Sequence, residues 1–115
     1  MTRVELPWPH RWLHPNARTH WAQKATAAKN ARRTACYTAL EAGARGMAAD
    51  ALDIAITFYP PDKRRRDVDG MLSSVKSYLD GIADVVGVDD SNWRISMQKA
   101  EPRKGGVVVV EIQPA

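Results

Sequence analysis

Asp67-Val68-Asp69 and, across one expected helix, Asp89-Asp90 are the residues of this 115-residue chain whose types and spacing could do chemistry. Carboxylates crowded together repel one another and raise each other's pKa. A hard divalent cation removes that cost, and Mg²⁺ prefers oxygen ligands. The run Lys63-Arg64-Arg65-Arg66 leads directly into the first pair. Cations there suit a polyanion whose phosphates complete the metal's shell. The expected chemistry is attack on a phosphodiester, with Mg²⁺ polarising the phosphate and lowering the pKa of an attacking water.

Spacing alone leaves the ligand set open. Asp67 and Asp69, two apart, share a face in extended chain, and Asp69 is placed at a helix amino terminus with unpaired N–H groups. Asp89 or Asp90 completes a three-carboxylate site if the loop after the helix returns to the same end of the sheet. Asp-x-Asp also occurs in nucleotide-sugar transferases. A calcium loop is excluded: counting Asp67 as position 1, position 6 is Leu72 where glycine is needed and position 12 is Tyr78 where glutamate is needed. His10, His14 and His20 have no cysteine pair beside them, and Pro15 and Asn16 break any common helix face, so zinc is not expected. Trp8 and Trp12 are open to base stacking, whereas Trp21 is expected to pack in the core. No glycine-rich phosphate loop or serine nucleophile elbow is present.

The elements that must position these residues follow from periodicity. Residues 2–6 read as a strand and 7–16 as a loop with prolines at 7, 9 and 15. Asn16 is placed to cap a helix from about Ala17 to Ala42, closed by Gly43, with Trp21, Ala25, Ala28, Ala35 and Ala39 as a narrow face of mostly small residues. Residues 51–59 alternate as a strand ended by Pro60-Pro61. A second helix starts near Asp69, carries the stripe Leu72, Val75, Leu79, Ile82 and Val86, and stops at Gly87. Trp93, Ile95 and Met97 alternate with polar residues as a third strand, and Lys104-Gly105-Gly106 turns the chain into Val107–Ile112, read as its hairpin partner. The order β-α-β-α-β-β predicts a single α+β domain over 1–115, with a parallel crossover and a mixed sheet packed by two helices.

Bulk properties agree. The net charge of +4 favours a polyanionic partner modestly. Placement says more: Arg18, Lys24, Lys29, Arg32 and Arg33 fall in one segment and Lys63 to Arg66 in another. No apolar run approaches the roughly 20 residues of a membrane span, and the amino terminus lacks the apolar core of a signal peptide. The single cysteine, Cys36, makes no internal disulfide and fits a reducing cytoplasm.

The chain resembles the RusA family of Holliday junction resolvases over nearly its whole length. The carriers are Leu6-Pro7-Trp8-Pro9, Pro15-Asn16-Ala17-Arg18, Pro61-Asp62-Lys63-Arg64-Arg65-Arg66-Asp67-Val68-Asp69, Leu79-Asp80-Gly81, Asp89-Asp90-Ser91 and Lys104-Gly105-Gly106. The resemblance implies a Mg²⁺-dependent crossover junction endodeoxyribonuclease of recombination and repair, with Mn²⁺ a possible substitute and no organic cofactor. It implies a homodimer that nicks two symmetric strands of a four-way DNA junction, in the bacterial cytoplasm or that of a phage host. The metal carboxylates map onto Asp67, Asp69 and Asp90, with Arg64, Arg65, Arg66, Asn16 and Arg18 expected on DNA. Gly70 stands where the family commonly has Asn, and Ser73 where it has a functional lysine, so Lys76 is the nearest replacement in the catalytic set. The competing expectation is a noncatalytic DNA-binding module with the same fold.

Overall fold

All 115 residues are described by a computed structural model. Its strands are β1 (Thr2–Pro7), β2 (Leu52–Tyr59), β3 (Trp93–Lys99) and β4 (Val107–Pro114). Its helices are α1 (Trp21–Glu41), α2 (Val68–Ser74) and α3 (Lys76–Val86), with short 3-10 turns at Arg11–Leu13 and Asp90–Asn92. The strands form one mixed sheet in the order β1-β4-β2-β3. β2 and β3 run parallel, while β4 is antiparallel to both β1 and β2. The α+β fold is the one the element order predicts.

One face of the sheet buries Val4, Leu6, Ile54, Phe58, Val110 and Ile112 in a single core with residues of α1 and α3. The opposite face, carrying Arg3, Glu5, Ser96, Gln98 and Gln113, is open. α1 approaches through Ala27, Ala31, Ala35 and Ala39, a strict i, i+4 row of small side chains. α3 answers with Gly81: a Cβ there would lie 2.2 Å from the Arg32 carbonyl oxygen and 2.9 Å from the Ala35 Cβ. Without side chains between them, the two helix backbones come within van der Waals reach.

Four expectations are corrected. β3 and β4 do not form a hairpin, because β4 inserts between β1 and β2 and leaves β3 paired only to β2. Val109 is buried on the face opposite Val108 and Val110, so this half of β4 is apolar on both sides and belongs in the middle of the sheet. The second helix is two helices, broken at Val75 (φ −102°, ψ 6°), whose N–H turns to the Leu72 and Ser73 carbonyls. Ser74 Oγ donates to the Met71 carbonyl at 2.7 Å and Val75 is buried at the bend, which suits a local side-chain competitor within a helix. α1 starts four residues later than Ala17: His20, not Asn16, caps it, Nδ1 accepting the Ala22 N–H at 3.1 Å. Trp21 consequently stands 76% exposed and outside the core and Ala25 is exposed as well, while Ala27 and Ala31 join Ala35 and Ala39 on the packed face with Ala28 partly buried beside them. No helix is long and apolar enough to cross a membrane.

Candidate metal and nucleic-acid site

Asp67 is the residue before α2, extended at φ −76° and ψ 139°, and its side chain makes no capping bond. Asp69 lies in the first helical turn, where its Oδ1 accepts the Gly70 N–H at 3.0 Å. The shared face expected of extended chain is therefore replaced by a helix start, with both carboxylates exposed. Negative charge there is favoured by the unpaired N–H groups of the first turn.

The loop before Asp67 is stapled by one of its own arginines. Arg66 Nη1 donates to the carbonyls of Asp62 (3.2 Å) and Arg64 (3.1 Å). Its Nη2 pairs with Asp62 Oδ1 at 3.0 Å, and its guanidinium lies 5.5 Å from the centre of the Trp8 ring. The Arg66 side chain is only 19% exposed, so it shapes the loop and is not a free phosphate contact. Asp62 is held below the usual carboxylate range, first by the Arg64 N–H and then by Arg66. Lys63, Arg64 and Arg65 face solvent.

Residues 99–106 add to this end. The Ala100 N–H donates to the Phe58 carbonyl and the Arg103 N–H to that of Pro60, both at 2.8 Å, laying this loop against the arginine loop. Gly106 closes the contact, since a Cβ there would lie 2.8 Å from the Trp8 Cβ. Lys99, Arg103 and Lys104 thereby join Lys63, Arg64 and Arg65 around one end of the sheet, with the Arg103 guanidinium 3.7 Å from the Tyr59 ring centre. Sequence reasoning missed Lys99 and Arg103 as site residues. The available signal was parallel pairing of β2 and β3, which sets Lys99 beside Phe58.

His14 borders the same place. Its Nδ1 accepts the Asn16 N–H at 3.1 Å, and its Nε2 points at α2, 2.9 Å from where a Gly70 Cβ would be. His10 likewise accepts the Trp12 N–H at 3.1 Å, so all three histidines hold turns. Asn16 and Arg18 are exposed in the loop after His14, and Arg18 makes no ion pair within 4.0 Å. Trp8 and Trp12 are half-buried, Trp8 edge-on to Phe58 at 6.1 Å between centroids.

Two expected site residues are placed elsewhere. The parallel register sets Leu52 beside Trp93 and Phe58 beside Lys99. Asp67 follows the carboxyl end of β2, whereas Asp89 and Asp90 precede the amino end of β3, so the eight residues of β2 lie between them. At about 3.3 Å per residue that is roughly 23 Å. Asp90 does not join Asp67 and Asp69 within one chain, and no three His, Cys, Asp or Glu side chains of the chain are grouped to hold a metal ion. Asp89 instead caps the turn, accepting from the Ser91 N–H and hydroxyl. Lys76 opens α3 beyond the break and pairs with Asp80 at 3.1 Å. It does not stand above Asp69 on one straight helix.

The chain is 41% identical over 116 residues to an uncharacterized protein of Xylella fastidiosa (strain Temecula1), a match covering 97% of this chain and 76% of that protein. It belongs to the family of that protein. No family model matches the chain.

Proposed function

We propose that this chain is a RusA-like, Mg²⁺-dependent endodeoxyribonuclease that resolves branched DNA by paired nicks. The observation that carries the reading is the joining of two exposed carboxylates, Asp67 and Asp69, to an end of the sheet ringed by Lys63, Arg64, Arg65, Lys99, Arg103 and Lys104. Lysine and arginine there would neutralise DNA phosphates on either side of the scissile bond. Two hard oxygen donors suit Mg²⁺, which is ordinarily held by one or two carboxylates together with waters and substrate phosphates. When bound, it would supply Lewis acidity at the phosphate and an acidified water. Asp67 and Asp69 would hold it, and the Arg66–Trp8–Asp62 arrangement would fix the loop that presents Asp67.

A third carboxylate from Asp90 reaches this place only from a second copy of the chain, given the length of β2 between the two ends. A four-way junction has two-fold symmetry, so a two-fold dimer would offer it two equivalent sites. Gly70, where the resembled family commonly has Asn, has a local reason here: a side chain would strike His14.

Incubating the protein with labelled four-way junctions, with and without Mg²⁺, tests the proposal. Symmetric nicks that need the metal are expected. Binding without nicking in either Mg²⁺ or Mn²⁺ would support the second reading, a noncatalytic DNA-binding module. That reading is favoured by the fact that one chain assembles only two of the three carboxylates.

A further inference from the structure

The rings of Trp8 and Trp12 and the middle of α1 meet at a cavity of about 300 Å³ that the carboxylates do not enter. Part of its lining is apolar: Trp8, Trp12 and Leu13 come from the segment after β1, and Ala27 and Ala31 from α1. The rest is polar, because Thr26, Asn30 and Thr34 follow one another at four-residue steps along the helix. Two of the polar groups are already spent. Thr26 Oγ1 donates to the Ala22 carbonyl at 2.9 Å, and the Tyr78 hydroxyl to that of Pro7 at 2.8 Å. The Asn30 amide and the Thr34 hydroxyl make no hydrogen bond within the chain. No acidic residue lines this cavity.

Two further observations say what it suits. Trp8 and His10 also line an adjoining hollow of about 240 Å³, whose other residues include Arg66 and Asp67. The cavity therefore borders the first carboxylate of the candidate site. On α1, Lys29 and Arg33 stand on the side of Asn30 away from Ala31, at about 100° per residue around the helix. Both are exposed, and neither makes an ion pair.

We infer that this cavity takes one unpaired nucleobase of the DNA strand whose phosphate lies at Asp67. An indole offers a face on which any base can stack. A free amide carries the donor and the acceptor that pair with a base edge. The volume, at the small end of the range for small-molecule sites, suits a single planar ring system. Unpaired cations beside it suit the phosphates on either side of that base. A base inside a duplex cannot present its faces, so the occupant is unstacked, as at a branch point or a bulge. The inference rests on the reading above for the strand at Asp67, and extends it from the shape of the DNA to the base beside the cut.

The test is a binding comparison that needs no cleavage. A duplex with one bulged adenine and the same duplex with an abasic residue at the bulge are titrated by fluorescence anisotropy in EDTA. The wild-type chain should bind the adenine probe about tenfold or more tightly. Trp12→Ala should bring the two probes level. Trp12 is half-buried, so Asn30→Ala gives a second variant at an exposed, unbonded position; it should cut the adenine preference about threefold or more. Lys29→Ala with Arg33→Ala should weaken both probes alike and leave their ratio unchanged, because phosphate contacts carry no base information. No preference for the adenine probe, or a preference that survives both Trp12→Ala and Asn30→Ala, would overturn the inference. A chain that prefers the base but nicks no four-way junction in Mg²⁺ would keep this pocket and sink the nuclease reading. A chain that nicks junctions without the base preference would do the reverse.

Discussion

Asp67 and Asp90 stand at opposite ends of the sheet, because β2 and β3 run parallel with Leu52 beside Trp93. A carboxyl set built from both therefore has to be shared between chains, and mixing can detect sharing. Asp67→Asn and Asp90→Asn are each expected to abolish nicking alone. In a mixed dimer one site carries both substitutions and the other carries neither. Equal mixing after subunit exchange should restore about a quarter of wild-type site activity, since half the dimers are mixed and each has one intact site. Persistent inactivity in a mixture shown to contain mixed dimers would place all functional carboxylates in one chain.

The arginine run divides by burial. Arg64 and Arg65 are exposed, while Arg66 is packed on Trp8 and bonded to the loop it belongs to. Arg64→Ala with Arg65→Ala should leave thermal stability unchanged and lower the salt slope of junction binding by about 1 for each phosphate no longer neutralised. Arg66→Ala should instead destabilise the fold by about 1–2 kcal/mol, as its hydrogen bonds and its packing on Trp8 disappear. Measured melting temperatures and salt titrations separate the two effects. An unchanged slope for the double variant would return Arg64 and Arg65 to the role of solvated surface.

The α1–α3 contact rests on the absence of one side chain. Gly81→Ala would set a Cβ 2.2 Å from the Arg32 carbonyl oxygen, which is backbone and has no rotamer to yield. The helices must separate, opening the row Ala27, Ala31, Ala35 and Ala39. A loss of about 3 kcal/mol or more is expected by urea unfolding, at the upper end of overpacking costs. Gly43→Ala serves as the contrast: nothing lies within 4 Å of that Cβ, so its cost is backbone strain at φ +83° alone.

Tyr78 couples the first strand's exit to α3. Its buried hydroxyl donates to the Pro7 carbonyl at 2.8 Å, and burial pushes the phenol up to about 12. The folded state thus keeps its proton at pH values where the unfolded chain, titrating near 10, gives it up. Stability from this group is full below about pH 10 and falls as pH rises through about 12. Tyr78→Phe should cost about 1 kcal/mol at neutral pH from the unpaired carbonyl, and flatten the alkaline decline. Tyr37→Phe, which alters an exposed ring, should leave that decline in place.

What the sequence made legible was local. Alternation located the second and third strands, Pro7 and the Lys-Gly-Gly turn bounded the first and fourth, and Asp69, Leu79 and Gly87 located the helical stretch between the second and third. Their partners were harder to read. Val107–Ile112 follows a Lys-Gly-Gly turn and so resembles a hairpin arm, yet its four consecutive valines, Val107 to Val110, mark a central strand, and that signal outranks the turn. The break at Val75 was hidden because the apolar stripe continues across it from Leu72 to Leu79. His20 displaced Asn16 as the cap through an imidazole nitrogen, a use that residue preferences seldom anticipate. The candidate site suffered most: two of its carboxylates follow from chain proximity, but the third depends on which end of a parallel pair the crossover reaches.

Lys76 remains the one basic side chain of the α2–α3 segment, and its reach decides its role. Val75 interrupts the helix, so Lys76 begins α3 with its ammonium 3.1 Å from Asp80. An exposed i, i+4 pair of this kind is worth only about 0.3–0.5 kcal/mol. Its flexible four-carbon stem can therefore leave Asp80 for a DNA phosphate at little cost, and charge beside a scissile phosphate is stabilised most in the transition state. Lys76→Ala should slow single-turnover cleavage at saturating DNA about tenfold or more while shifting junction affinity far less. Asp80→Asn, which frees the lysine, should keep cleavage at or above the wild-type rate. If Lys76→Ala cleaves at the wild-type rate, the pair with Asp80 is surface decoration and the developing charge is met by the metal and by the ring of Lys63, Arg64, Arg65, Lys99 and Arg103.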